Sequence, residues 1–367
     1  MIYVLYSGDY EVFLGGNHRP ESQVLIDRTE AIVATCGQIG VPATFFADVC
    51  CLWRYRELGY PDFPKQVDDQ MCRAIAQGHD VQAHIHPHWM ETEIDRNEQG
   101  GCRYRCDPSR FLLAHCVSGD GDQLYHFTLD LLNRTRTYLT DLLCPIVPQY
   151  RCIAFRAGGY GIQPGTEAIV AALEDAGFLI DSSVVPGMQL FSNVNCIDFT
   201  DVPQRGNYHI SREHGLSRPA VEGVFEIPVL RGRVGVASAV RSKLRWLRHR
   251  WRRRTGPKPA GYAIQSTSAR RAPLALRAWR FLSQREETLE LSSDPKTMFD
   301  ITRRYVRKYD SENEDLFFAF SFHPKSVDRV HLAALKQYDT YLKRYYGSSV
   351  RAITFQEAAD RLAQQAS

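Results

Sequence analysis

The stretch G-H-D-V-Q-A-H-I-H-P-H, Gly78 to His88, sets the reading of the whole chain. Residues 79–83 read as a short strand, and beyond it three histidines fall at alternate positions: His84, His86 and His88. Alternation along a strand sends every second side chain to one face. Neutral imidazole is the commonest biological metal ligand, and two of them leaving one strand end can grip one ion. Pro87 cannot donate to a ladder, so the segment reads as a strand end turning into a loop. The bland alternative is a cluster of ordinary hydrogen-bonded histidines. Three in five residues, with Trp89 beside them, favour the metal reading.

A strand that ends in chemistry is informative when its neighbours do the same. Residues 2–6 are an apolar run of β-formers followed by Ser7-Gly8-Asp9-Tyr10-Glu11. Residues 22–38 suit a helix, 40–47 a turn and a strand, and 68–77 a helix stopped by Gly78. Residues 90–121 lack periodicity and read as a long loop, and 124–143 form a helix with Leu124, Phe127, Leu131, Tyr138 and Leu142 near one face. Strands over 152–155 and 178–180 lead into Arg156 and Asp181, with a helix opened by Pro164 between them. A strand at 224–230, a helix at 294–308, and a strand at 316–322 ending at His323 follow. A helix at 327–345, a strand at 350–354 and a helix at 356–364 close the chain. Such βα alternation predicts a parallel sheet or barrel. Polar residues at five strand ends, Asp9, His84, Arg156, Asp181 and His323, describe a barrel mouth.

The bulk numbers agree with one large α/β unit. The chain has 367 residues, 44% hydrophobic and 24% charged, with a net charge of +3 that does not argue for nucleic acid. No run approaches the roughly 20 apolar residues that span a bilayer, and the start lacks a secretory leader's pattern. Ten scattered cysteines suit free thiols in a reducing cytoplasm. Cys102, Cys106, His115 and Cys116 offer four possible zinc ligands, but the spacing matches no familiar finger.

With these motifs in order, the sequence resembles the polysaccharide deacetylase family, the NodB-homology domains of carbohydrate esterase family 4. Ser7-Gly8-Asp9-Tyr10-Glu11 resembles the carboxylate motif in a D-x-E form, and residues 40–49 the second strand V-P-A-T-F-F. Gly78–His88 is similar to the H-x-x-x-H motif, which leaves His86 extra. Arg156 to Tyr160 is similar to R-x-P-Y, Asp181-Ser182-Ser183 to motif four and Phe322-His323-Pro324 to motif five. The resemblance implies a distorted (β/α)7-type barrel formed by a single NodB-like domain over residues 1–367, with a basic insertion at about 231–293. It implies Glu11, His84 and His88 as ligands of a divalent metal, zinc first, and Asp9 as general base. Under the adjacent-pair alignment Asp9 would itself be the ligand, so that choice stays open. Arg156 would hold the base ionised, Tyr160 would bring a backbone N–H to the oxyanion, and His323, with an aspartate such as Asp181 beside it, would be the acid.

The implied activity is removal of N-acetyl groups from a sugar of a surface polysaccharide or lipid-linked glycan, as in O-antigen biosynthesis. The alternatives are a deformylase or amidase on another C–N bond, and a non-catalytic glycan-binding domain. The insertion carries R-S-K-L-R-W-L-R-H-R-W-R-R-R over 241–254. On a helix, Val240, Leu244, Leu247 and Trp251 form one apolar stripe in a basic surround. Arg245, Trp246, Arg248, Trp251 and Arg252 are then candidates for contact with an anionic membrane surface or glycan. This suits a cytoplasmic protein, peripheral at the inner membrane.

Overall fold

The computed structural model describes residues 1–98, 100–236, 238, 240, 241, 244, 247, 260–263, 286–309 and 315–365. Its centre is a run of parallel strands: β1 (Ile2–Tyr10), β2 (Thr44–Asp48), β3 (Asp80–Ile85), β4 (Ala154–Ala157), β5 (Ile180–Asp181), β6 (Val224–Glu226) and β7 (Leu316–Phe322). From β1 to β6 each pairs with the next, and β7 returns to β1 with Ile2 opposite Leu316 and Gly8 opposite Phe322. The last gap is closed by the chain just past β6, where Val229 bridges Ala319 in parallel. The result is a distorted (β/α)7-type barrel, since one seam rests on isolated bridges rather than a full ladder. A short β8 (Val350–Ala352) pairs with the first residues of β1.

Side-chain alternation on these strands separates two cores. Tyr3 and Leu5 of β1, Phe46 of β2, Ala154 of β4, Ile180 of β5, Ile227 beyond β6, and Phe317 and Ala319 of β7 pack together in the lumen. Ile2, Val4 and Tyr6, at the intervening positions, join a larger core against the helices. Strands buried on both faces read as continuous apolar runs, which is why 316–322 is L-F-F-A-F-S-F.

The helices that contribute to that outer core include α1 (Asp27–Ile39), α2 (Val49–Glu57), α3 (Asp62–Ala76), α4 (Gly121–Leu143), α5 (Thr166–Asp175), α6 (Pro295–Tyr309) and α7 (Arg329–Tyr346). A last helix, α8 (Phe355–Gln365), plugs the lumen from below with Phe355, Ala358 and Ala359. The Asp80 carboxylate at the foot of β3 accepts from the Gln356 N–H in its first turn.

Three expectations change. Helix α2 was not anticipated, because C-C-L-W-R-Y mixes β-formers into a helical register that buries Val49, Leu52 and Tyr55. Helix α3 begins at Asp62 rather than at residue 68. The supposed loop over 90–121 contains a hairpin, Glu93–Arg96 against Cys102–Arg105, whose buried Ile94–Tyr104 pair is hidden in sequence among charged neighbours.

Candidate active site

Phase along β1 decides what reaches the mouth. Tyr3 and Leu5 point into the lumen, so Ser7, Asp9 and Glu11 follow on the same face. Gly8 lies between them because a Cβ there would meet the Phe322 ring at 2.2 Å. Gln82, His84 and His86 share the corresponding phase on β3, since Val81, Ala83 and Ile85 face the outer core.

The two acids share His323, whose Nε2 lies 3.8 Å from Glu11 Oε1, and otherwise serve different neighbours. Arg156 Nη1 donates to Asp9 Oδ1 at 2.8 Å. Its other donors reach Ser7 Oγ, Ser182 Oγ and the Ser182 carbonyl, and the guanidinium lies over Phe46. His323 Nε2 faces Asp9 Oδ2 at 3.4 Å. Burial works against charge on Asp9, but Arg156 and His323 outweigh it and hold the carboxyl well below its usual range. On His323 burial again opposes charge. Asp9 and Glu290, the latter 3.0 Å from Nδ1, reverse that and push its pKa up to about 10.

Glu11 instead stands with His84 and His86, one ligand atom from each lying within 4.8 Å of the others. His84 Nδ1 lies 2.7 Å from the Arg156 carbonyl, its in-register neighbour on β4. That bond makes Nδ1 the protonated nitrogen and leaves the lone pair on Nε2. Burial pushes His84 down to about 4, so its imidazole is neutral. Glu11 Oε2 and His84 Nε2 are both buried without a hydrogen-bond partner, as is His86 Nδ1. His86 Nε2 approaches Glu11 Oε2 to 2.8 Å. Unpaired buried acceptors converging on one point are costly on their own, and a carboxylate with two imidazoles is a donor set that fits a divalent cation.

Two expected positions are corrected. Among these mutual distances His86 stands where His88 was expected. The backbone stays extended through His86 (φ −110°, ψ 95°), and Pro87 then opens a tight turn that carries His88 away. His88 stacks on Phe111, its ring centroid 5.3 Å from that of His86, and neither of its nitrogens has a partner. Gly158 makes room for His86, since a Cβ there would touch the imidazole at 2.5 Å.

The second correction concerns Asp181. Ile180 points into the lumen, so Ser182 shares that face and Asp181 turns outward. Its two oxygens accept from the hydroxyl and N–H of Ser183, and burial raises its pKa. The carboxylate beside His323 is Glu290, which enters the barrel through a bridge to Ser321.

Three further residues complete the surroundings. Lys325 Nζ donates to Glu11 Oε1 at 2.7 Å and to the Val12 carbonyl. Asp48, at the end of β2, accepts from the His86 N–H, and burial pushes it up to about 7. Tyr160 has a positive φ of 62° in the loop after β4. Burial and the nearby charges of Glu290 and Asp9 raise its hydroxyl pKa. Asp48 satisfied the same strand-end rule that flagged Asp9. Glu290 lay in the segment set aside as an insertion, and Lys325 gave no signal.

Cys102, Cys106, His115 and Cys116 form no ligand group among the described residues. Cys102 bonds Glu21, and Cys116 the carbonyls of Arg110 and Leu112. Arg245, Trp246, Arg248, Trp251 and Arg252 lie outside the described residues. No described helix is long and apolar enough to cross a membrane.

No family profile and no curated protein matches this chain. Among solved structures it is similar to a Mycobacterium smegmatis protein assigned as a polysaccharide deacetylase, at 12% identity and a TM-score of 0.47, covering 99% of this chain and 91% of that one. It is also similar to Puue allantoinase, at 12% identity and 0.46 over 98% and 89% of the two chains. A third is a mutant of BA3943, a CE4 family pseudoenzyme with restored activity, at 11% identity and 0.38 over 98% and 67%. The likeness is distant. The barrel stands on its own strand pairing.

Proposed function

We propose that the barrel mouth is a hydrolase site that removes the acetyl group from the nitrogen of an N-acetylated sugar, carried on a surface polysaccharide or lipid-linked glycan. The observation that supports the amide chemistry best is the division of labour between two acids two residues apart. Glu11 stands with His84 and His86, and Asp9 stands between Arg156 and His323. The sugar rests on the motif resemblance alone.

Glu11, His84 and His86 would hold a divalent cation, and zinc suits a nitrogen-rich set of this kind. When bound, such an ion supplies Lewis acidity, polarising a carbonyl and making water more acidic. Asp9 accepts the proton of the attacking water, and Arg156 keeps that acid ionised and aimed. His323, held as an imidazolium by Asp9 and Glu290, gives a proton to the departing nitrogen. The family resemblance supplies a backbone N–H near Tyr160 as the donor to the developing oxyanion. A deformylase or amidase would use the same groups on another acyl.

One observation favours a second reading, a glycan-binding domain without turnover. The Lys325 ammonium already neutralises Glu11, as a metal would. It engages Oε1 only and leaves Oε2 without a hydrogen bond. Metal content of the purified protein, with acetate release from an N-acetylated hexosamine oligomer, separates the readings. The catalytic reading expects about one ion per chain and acetate release that Asp9→Asn abolishes with the ion retained. Protein that binds the oligomer, takes up no divalent ion and releases no acetate is the glycan-binding domain.

A further inference from the structure

Away from the mouth, the chain past β6 forms a ribbon in which Arg231–Arg233 pairs with Glu286–Thr288. Between this ribbon and the last turns of α6 lies a cleft of about 720 Å³. Arg231, Arg233, Arg304, Arg307 and Lys308 line it, and Glu286 is the one carboxylate among its described lining residues.

The local pairing does not account for these cations. Glu286 is shared at long range, 3.9 Å from Arg231 Nε and 3.7 Å from Arg233 Nε. Arg231 Nη1 is buried and has no hydrogen-bond partner. Among the described residues no carboxylate pairs with Arg304 or Arg307, which sit one turn apart on the exposed face of α6. Cations in a last helical turn complement the helix dipole, which explains Arg307 and Lys308. It does not explain Arg231 and Arg233, which approach the same space from a different element. Like charges converging on one cleft repel each other, and a guanidinium N–H buried without an acceptor adds a desolvation cost. An anion with several oxygens removes both penalties.

We propose that this cleft binds a phosphate-bearing group, a diphosphate or a phospholipid headgroup. Guanidinium forks match phosphate oxygens two at a time, and the volume accepts a diphosphate with part of what it carries. Tyr305 and Tyr309 supply an aromatic wall. A lipid source has a specific attraction. The helical residues leaving the ribbon include Val236, Val240, Leu244 and Leu247, which lie along one stripe and are 53%, 43%, 61% and 48% exposed. Arg304 flanks the start of that stripe, 3.2 Å from where a Gly235 Cβ would lie. The proposal does not depend on the chemistry at the mouth, because the cleft shares no residue with it.

The test is calorimetric titration of the full-length protein with inorganic pyrophosphate at low ionic strength. Saturable binding near one equivalent is expected. Arg231→Gln, and separately the double variant Arg304→Gln/Arg307→Gln, should weaken it about tenfold. Arg212→Gln, whose partners Glu174 and Asp175 lie elsewhere, should leave it unchanged. Arg304 and Arg307 are exposed, so their removal leaves the fold intact, and circular dichroism checks this. Co-sedimentation with phosphatidylglycerol and phosphatidylcholine vesicles separates the sources. Binding to the anionic vesicles that the double variant loses assigns a lipid headgroup, and pyrophosphate binding without vesicle binding assigns a soluble diphosphate. Failure to saturate with either probe, or binding that both arginine variants retain, overturns the proposal.

Discussion

Two groups of buried acids sit at the carboxyl ends of strands on opposite sides of one barrel, and they do opposite things. On the β5–β6 side both oxygens of Asp181 accept from Ser183, and Glu226 beside it is pushed well above its usual range by burial and by Asp181. Glu226 Oε2 has no hydrogen-bond partner either, but both acids on this side are pushed toward the neutral form. On the β1–β3 side Glu11 Oε2 stands 2.8 Å from His86 Nε2, and His84 Nε2 has no hydrogen-bond partner. Asp9 is bonded, but to cations that hold it charged. Position at a strand end is therefore not enough. An acid is available for chemistry when its phase turns it into the lumen and the cations beside it hold it charged.

The sharpest way to break this contrast is to neutralise one acid from each group. Asp9→Asn should lower acetate release by about 10³-fold, in the range for loss of a general base. Asp181→Asn should keep activity within tenfold and instead lower stability by about 1–3 kcal/mol through weakened buried hydrogen bonds, read by denaturant unfolding. Equal losses of activity would erase the distinction. Next in size is the ion itself. His86→Ala should lose most bound metal and His88→Ala should retain it, measured by elemental analysis. The reverse result would restore the spacing His84–His88 and mean that the ring of His88 swings inward when the ion binds.

A smaller effect concerns Glu290. His323 has a raised pKa, about 10 against an ordinary 6.5. Its charged form therefore stabilises the fold fully below pH 6.5, and that contribution is lost as pH rises through about 10. The same protonation is what an acid catalyst needs, so the alkaline limb of activity belongs near pH 10. Glu290→Gln removes one of the two acids that raise the pKa. The limb should move to lower pH, and a limb that does not move would detach Glu290 from the reaction.

Much of this was legible in the chain. The βα alternation gave the barrel, and strand ends and spacing marked Asp9, Glu11, His84, Arg156 and His323, which the structure brings together at its mouth. Asp181 and His88 depart from expectation for one physical reason: a place near a strand end does not fix which face the side chain takes. Ile180 in the lumen predicts Ser182 there and excludes Asp181. His86 is in step with His84, and only the turn at Pro87 decides that His88 is not. Glu290 could not be found in this way, because it reaches the barrel by a long return from the insertion and a single bridge, with no strand of its own.

Lys325 has a further consequence. Its amine, tethered to the chain and 11% exposed, sits against Glu11 as a built-in counter-ion. The interior acid does not wait for a solute to make its charge tolerable, so architecture and catalyst are separable. Chelation should abolish turnover and leave the melting curve almost unmoved, whereas Lys325→Met should make folding itself answer to added metal.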